Sequence, residues 1–287
     1  MYEGNDEGAL RRTEVEMLVM ALPAFPRSVQ DIRESAAKAS ASPRQLVEVV
    51  ARDPVLTSHL LKLVNSSYFG LPRKMNSVKQ AVVFIGMNTT THLSLCVATL
   101  GALPSSNEAG LPFAELRRNA VNVAAVARLI CQNVKTGSSE SEGLFLAGLL
   151  HNLGQVALMV HRPLEYRQML ASTETDPRPV EALEREIFGT DRYAVSAMMA
   201  WRWEIKPLIV ETIRGYANWD GGHRRTEQME ILYTATRLVE YLDGRMLTFE
   251  LNAATEAVLD MTAGEILAGQ RTYEDAILNA RVFLDHG

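Results

Sequence analysis

The chain has 287 residues, 47% apolar and 22% charged, with a net charge of −5. That is enough apolar material for one large core or two of ordinary size. The mild acidity excludes a general field for gripping nucleic acid or anionic membranes, so both are disfavoured as partners. The basic clusters Arg117-Arg118 and His223-Arg224-Arg225 are short and read as solvated surface. Cys96 and Cys131 lie in apolar runs and make no disulfide framework in a chain of this length, which points to buried thiols in a reducing, cytoplasmic setting. Met1 to Arg12 carries acids and does not read as a signal peptide, and Ser94 to Leu103 is too short an apolar run to span a bilayer.

Helix signals recur along the chain, and no segment alternates apolar and polar residues over a useful length, so the expected fold is all-α. Ser42-Pro43-Arg44-Gln45 is a capping box with proline at the first helical position. Asp53-Pro54 opens the next helix, with an expected apolar face of Val55, Leu56, Leu60, Leu63 and Val64. Ser77-Val78-Lys79-Gln80 reads as another capping box, and Gly86 ends that short helix. A helix opening at Asn88 or Thr89 runs to about Leu100, and the polar stretch Gly101 to Gly110 is the best interior boundary. The pattern then predicts helices over Pro112 to Asn133, over Glu142 to Asn152 with Gly154 just beyond its end, and on to His161. Thr173 to Pro179 reads as a loop. Helices follow over Val180 to Phe188, Arg192 to Trp203 and Pro207 to Asn218, with a turn at Asp220-Gly221-Gly222. Thr226 to Leu242 is a strong helix, Thr262-Ala263-Gly264-Glu265 is a capping box, and a last helix lies near Tyr273 to Leu284.

Several of these segments together resemble the HDOD family, the bacterial HD-related output domain. Leu22-Pro23-Ala24-Phe25-Pro26 is similar to its proline-bracketed opening, and Asp53-Pro54-Val55-Leu56-Thr57 to its D-P-x-L-T helix start. Leu61 to Gly70 resembles the L-x-x-x-N-S-x-x-[FY]-G signature, placing Asn65, Ser66, Phe69 and Gly70 in it, and Ser77 to Gly86 continues the pattern. Read on its own chemistry, Asn65 is a structural cap or turn former, or a polar contact to a second lobe or a partner. The resemblance implies a two-lobed helical fold. The expected parts are an N-terminal extension (1–19), a helical lobe (20–105), a degenerate HD-like lobe (110–244) and a helical C-terminal extension (245–287).

The second half is similar to HD phosphohydrolases, which hold one or two metal ions with a His, a His-Asp pair and a later Asp. Here the first His position reads Asn119, the pair reads His151-Asn152, and the later Asp reads Thr236. Arg192 stands where a further His would open H-x-x-x-G, with Ser196 in place of the Gly, and Tyr216 lies where a His-His pair would fall. A divalent metal wants neutral imidazoles and at least one carboxylate. These positions offer one imidazole, neutral amides and hydroxyls, and a guanidinium. No cofactor and no catalytic residue are therefore expected.

The expected function is a non-catalytic signalling output or adaptor module with a protein partner, and homo-oligomer formation is left open. The alternative is a divergent metal-dependent phosphohydrolase acting on a nucleotide or cyclic dinucleotide. Trp201, Trp203 and Trp219 read as core with an exposed rim, or as a partner hot spot. A third option, nucleic-acid binding, would use Arg117, Arg118, Arg224 and Arg225.

Overall fold

The computed structural model describes residues 27–36, 42–65, 71–101, 113–134, 141–173, 175–176, 178–217 and 225–281. Every regular element among them is an α-helix. In chain order these are α1 (Arg27–Ala36), α2 (Pro43–Ala51), α3 (Pro54–Asn65), α4 (Val78–Ile85), α5 (Met87–Gly101), α6 (Phe113–Asn133), α7 (Ser141–Leu150) and α8 (Leu153–His161). Then come α9 (Pro163–Ser172), α10 (Val180–Phe188), α11 (Arg192–Arg202), α12 (Pro207–Ala217), α13 (Glu227–Leu242), α14 (Ala253–Leu259), α15 (Ala263–Ala268) and α16 (Gln270–Arg281). Among the described residues no single helix is long and apolar enough to cross a membrane.

The expected start signals act as caps. Ser42 and Thr262 each form a full capping box, and Thr226 accepts from the Met229 N–H. At Ser77 only half the box forms, because Gln80 Oε1 accepts from the Asn76 N–H instead of the Ser77 N–H. Gly86 ends α4 with φ of +86°, a conformation that side chains with a Cβ rarely adopt. In the D-P-x-L-T segment, Asp53 Oδ1 caps the Leu56 N–H (3.0 Å), and the Thr57 hydroxyl donates to the Val50 carbonyl (2.9 Å). Those two bonds fasten the end of α2 to the start of α3.

Three expectations need correction. Val55 is 64% exposed, whereas Leu56, Leu60, Leu63 and Val64 are buried. A helix turns about 100° per residue, which carries position 55 off the stripe that 56, 60 and 63 define. The helix expected over Glu142 to Asn152 stops at Leu150, and Gly154 lies inside the next helix. The break falls at Asn152, whose φ of −111° and ψ of 6° leave the helical well. Helices α1, α9 and α14 have no counterpart in the sequence reading. The Leu22–Pro26 segment, Ser66, Phe69, Gly70, the 102–112 stretch, Trp219, Asp220 to Gly222 and Arg224 lie outside the described residues.

The chain divides into two compact units, each assembled from separated stretches. Unit 1 comprises 1–24, 104–116 and 150–224, and unit 2 comprises 25–103, 117–149 and 225–287. In unit 1, α11 packs against both α8 and α12, and α9 joins α8 to α10. In unit 2, α1 to α5 pack on one another. Helices α6 and α7 are buried almost all round, with Val121, Val123 to Ala127, Leu144 to Ala147 and Leu149 inside, as befits central helices. They cross where Gly148 meets Ala124, leaving no room for a Cβ.

Candidate functional site

Four of the six positions assigned to a degenerate metal pocket fall in unit 1. His151 follows α7 directly and is 1% exposed. Its ring stacks with Tyr193 at 6.3 Å and 17°, and lies 6.4 Å from the tilted ring of Tyr216. Tyr193 and Tyr216 are 4.3 Å apart. Burial, then the neighbouring Tyr216, holds the Tyr193 hydroxyl well above the ordinary tyrosine range, so it stays protonated. Asn152 sits at the cap position of α8 but makes no side-chain cap bond, and its Oδ1 is buried without a hydrogen-bond partner. The cap is supplied from another helix: the Gly154 N–H donates to Ser196 Oγ at 2.7 Å. This close approach explains Gly154, where a Cβ would collide with the Arg192 carbonyl oxygen and lie 2.8 Å from the Ser196 nitrogen.

Arg192 is committed to a buried polar network. Its Nε donates to Glu184 Oε1 (2.8 Å), Nη1 to Gln155 Oε1 (3.1 Å) and Nη2 to the Tyr166 hydroxyl (3.1 Å). Its backbone N–H donates to Glu184 Oε2 (2.9 Å), and the Tyr166 hydroxyl donates to Glu184 Oε1 (2.7 Å). Glu184 is fully buried and the Arg192 side chain is 12% exposed. Burial alone would lower the Arg192 guanidinium, but the Glu184 charge, the neighbouring Tyr166 and Tyr193 and the hydrogen bond to Glu184 together outweigh it, and the net shift is upward. Burial likewise raises the Tyr166 hydroxyl. The result is a satisfied ion pair whose positive member is donor-only and has no lone pair for a metal.

The other two positions fall in unit 2. Asn119, on α6, accepts at Oδ1 from Arg245 Nη2 (3.1 Å). Thr236, buried in α13, donates its hydroxyl back to the Leu232 carbonyl (2.9 Å), so that proton is held within its own helix.

Taken by donor chemistry, these six positions do not fit a divalent cation. They provide one imidazole and no anionic oxygen, and Arg192 and Asn119 are both engaged by other groups. Among the described residues no group of three His, Cys, Asp or Glu could hold a metal ion.

The remaining singled-out residues separate. Asp53, Pro54, Asn65 and Gly86 act in local structure, Asn65 by bonding Met75 ten residues on. Trp201 is 56% exposed while Trp203 is 5% exposed and belongs to the core of unit 1. Arg225 is paired with buried Glu230 at 2.6 Å, and so is committed within the protein. Sequence reasoning missed Glu184, Tyr166 and Gln155. One signal was present: Glu184 lies beside Leu183 and Phe188 on the buried face of α10, where an acid needs a buried cation.

A model of the HDOD domain matches residues 22–218 of the chain. A protein of Treponema pallidum (strain Nichols), itself uncharacterized, is 23% identical over 230 residues. That match covers 78% of this chain but 43% of the relative, so the chain spans under half the length of the curated protein it matches. Solved structures share the fold. A Shewanella amazonensis SB2B protein provisionally named a phosphohydrolase superposes with a TM-score of 0.72 at 20% identity, covering 94% of this chain and 98% of that one. An HDOD domain protein of unknown function from Geobacter sulfurreducens gives 0.69 at 20% identity, covering 96% and 99%. A Marinobacter aquaeolei VT8 protein provisionally named for signal transduction gives 0.65 at 21%, covering 97% and 65%.

Proposed function

The chain belongs to the HDOD domain family, and from that premise we propose that it is a non-catalytic output module, working through contacts with a protein partner in a bacterial signalling pathway. One observation carries this. At the position where the resemblance puts a metal-binding histidine stands Arg192, a donor-only group whose charge is consumed by Glu184. His151 retains an imidazole, yet its neighbour Asn152 brings a neutral amide in place of a carboxylate. Activating water without a metal would require a nucleophile and base pair; both cysteines are buried, and burial pushes the Cys96 thiol far above its ordinary range. A cytoplasmic location accords with the absence, among the described residues, of any single helix long and apolar enough to cross a membrane.

The test is an assay of the purified chain against bis(p-nitrophenyl) phosphate and a cyclic dinucleotide with manganese or iron added. No turnover above that of the His151→Ala variant is expected. Turnover that disappears in that variant would establish the divergent phosphohydrolase instead.

A further inference from the structure

Helix α4, in unit 2, buries one face and offers the other to solvent. Val78, Ala81 and Val82 are buried, and the helical period turns Lys79, Gln80, Val83 and Phe84 outward. Val83 is 80% exposed and Phe84 47%. A lone exposed apolar side chain is ordinary surface. Here two adjoin each other on the last turn of one helix, with Lys79 one turn before Val83 on the same face.

The charge of this region is one-sided. The whole chain carries −5, yet no aspartate or glutamate falls between Asp53 and Glu108. Arg73 and Lys74 are exposed in the turn that leads into α4. Among the described residues, neither they nor Lys79 form an ion pair. Helices α2, α3 and α5 pack closely on α4 and carry one acid between them, Glu48, which Arg44 engages at 3.0 Å. The turn is also held in place. Met75, next to Lys74, is buried, and Asn65 bonds both of its backbone groups. Cations and apolar side chains thus share a fixed support, which lowers the ordering cost of binding.

We propose that the segment from Arg73 to Phe84 is the docking face for an acidic amphipathic helix of the protein partner. The proposal rests on the adaptor reading and names the partner's chemistry. Apolar side chains of that helix would cover Val83 and Phe84, and its carboxylates would meet Arg73, Lys74 and Lys79. An anionic bilayer suits the face less well. Lipid recognition of that kind uses clusters of about four to eight cations, and the acidic remainder of the chain would be repelled. A nucleic-acid backbone would leave Val83 without an apolar partner.

The probe is a fluorescein-labelled synthetic helix of Glu, Ala and Leu with its leucines on one face, titrated with the full chain and followed by anisotropy. Saturable binding that weakens as salt rises is expected. Val83→Ser and Lys79→Glu should each weaken it about tenfold. Both side chains are exposed, so thermal melts should match wild type. Arg271→Glu removes an exposed cation on α16 that forms no ion pair among the described residues, and should leave binding unchanged. No saturable binding, no loss in Val83→Ser, an equal loss in Arg271→Glu, or tighter binding to phosphatidylglycerol vesicles or to a single-stranded oligonucleotide would each overturn the docking face. Phosphodiester turnover would instead strike the adaptor reading, on a readout that peptide binding does not touch.

Discussion

The carboxamide of Asn65 pairs with both backbone polar groups of Met75: Nδ2 donates to the Met75 carbonyl at 2.7 Å, and Oδ1 accepts from its N–H at 2.6 Å. The side chain imitates a strand partner and ties the end of α3 to the approach to α4. Asn65→Asp removes the donor and sets a carboxylate against a carbonyl oxygen. It should cost about 2 kcal/mol of unfolding free energy. Urea denaturation measures this, and unchanged stability would assign Asn65 to partner contact instead.

Much of the helical frame is written in local chemistry. Ser42, Asp53, Thr226 and Thr262 announce helix starts because a cap needs only residues within one turn. Helix α1 escaped notice because its sequence, RSVQDIRESA, carries few apolar residues, with only Val29, Ile32 and Ala36 among mostly polar ones, and α14 because it is only 7 residues long. The charge loss at Asn119, Asn152 and Thr236 is legible from residue identity alone. What holds those positions is not: Arg192 finds Gln155 across 37 residues, and Asn119 finds Arg245 across 126. Such partners are set by packing, which no local pattern encodes.

The contact of α8 with α11 is backbone-close at Gly154. Gly154→Ala must push the two helices apart and should destabilise the protein by about 3 kcal/mol. Ser196→Ala, which only removes the acceptor for the Gly154 N–H, should cost about 1 kcal/mol. Thermal melts of the two variants should keep that order.

Breaking the Arg192–Glu184 pair from one side leaves a buried charge. Glu184→Ala should cost about 3–5 kcal/mol. The double variant Glu184→Leu with Arg192→Met should be less destabilised than the single one, because no ion is left stranded. Denaturant unfolding of both variants checks the ranking, and a worse double variant would contradict it.

Burial, then Lys62, lowers the imidazole of His59 below its ordinary value of 6.5, against a smaller opposing pull from Asp53. The unfolded chain therefore binds more protons in that window. The contribution of His59 is complete above pH 6.5 and is lost as pH falls through the lowered folded value. Comparing melting temperatures at about pH 5 and about pH 8, His59→Gln should reduce the acid-side loss relative to wild type. An identical pH profile would remove His59 from that role.

The most direct measurement is elemental analysis of the native purified chain beside a manganese and iron titration, with His151→Ala in parallel. Metal well below one equivalent, and titrations indistinguishable between wild type and variant, are the predicted result. One tightly held transition ion per chain that vanishes with the His151 imidazole would contradict it.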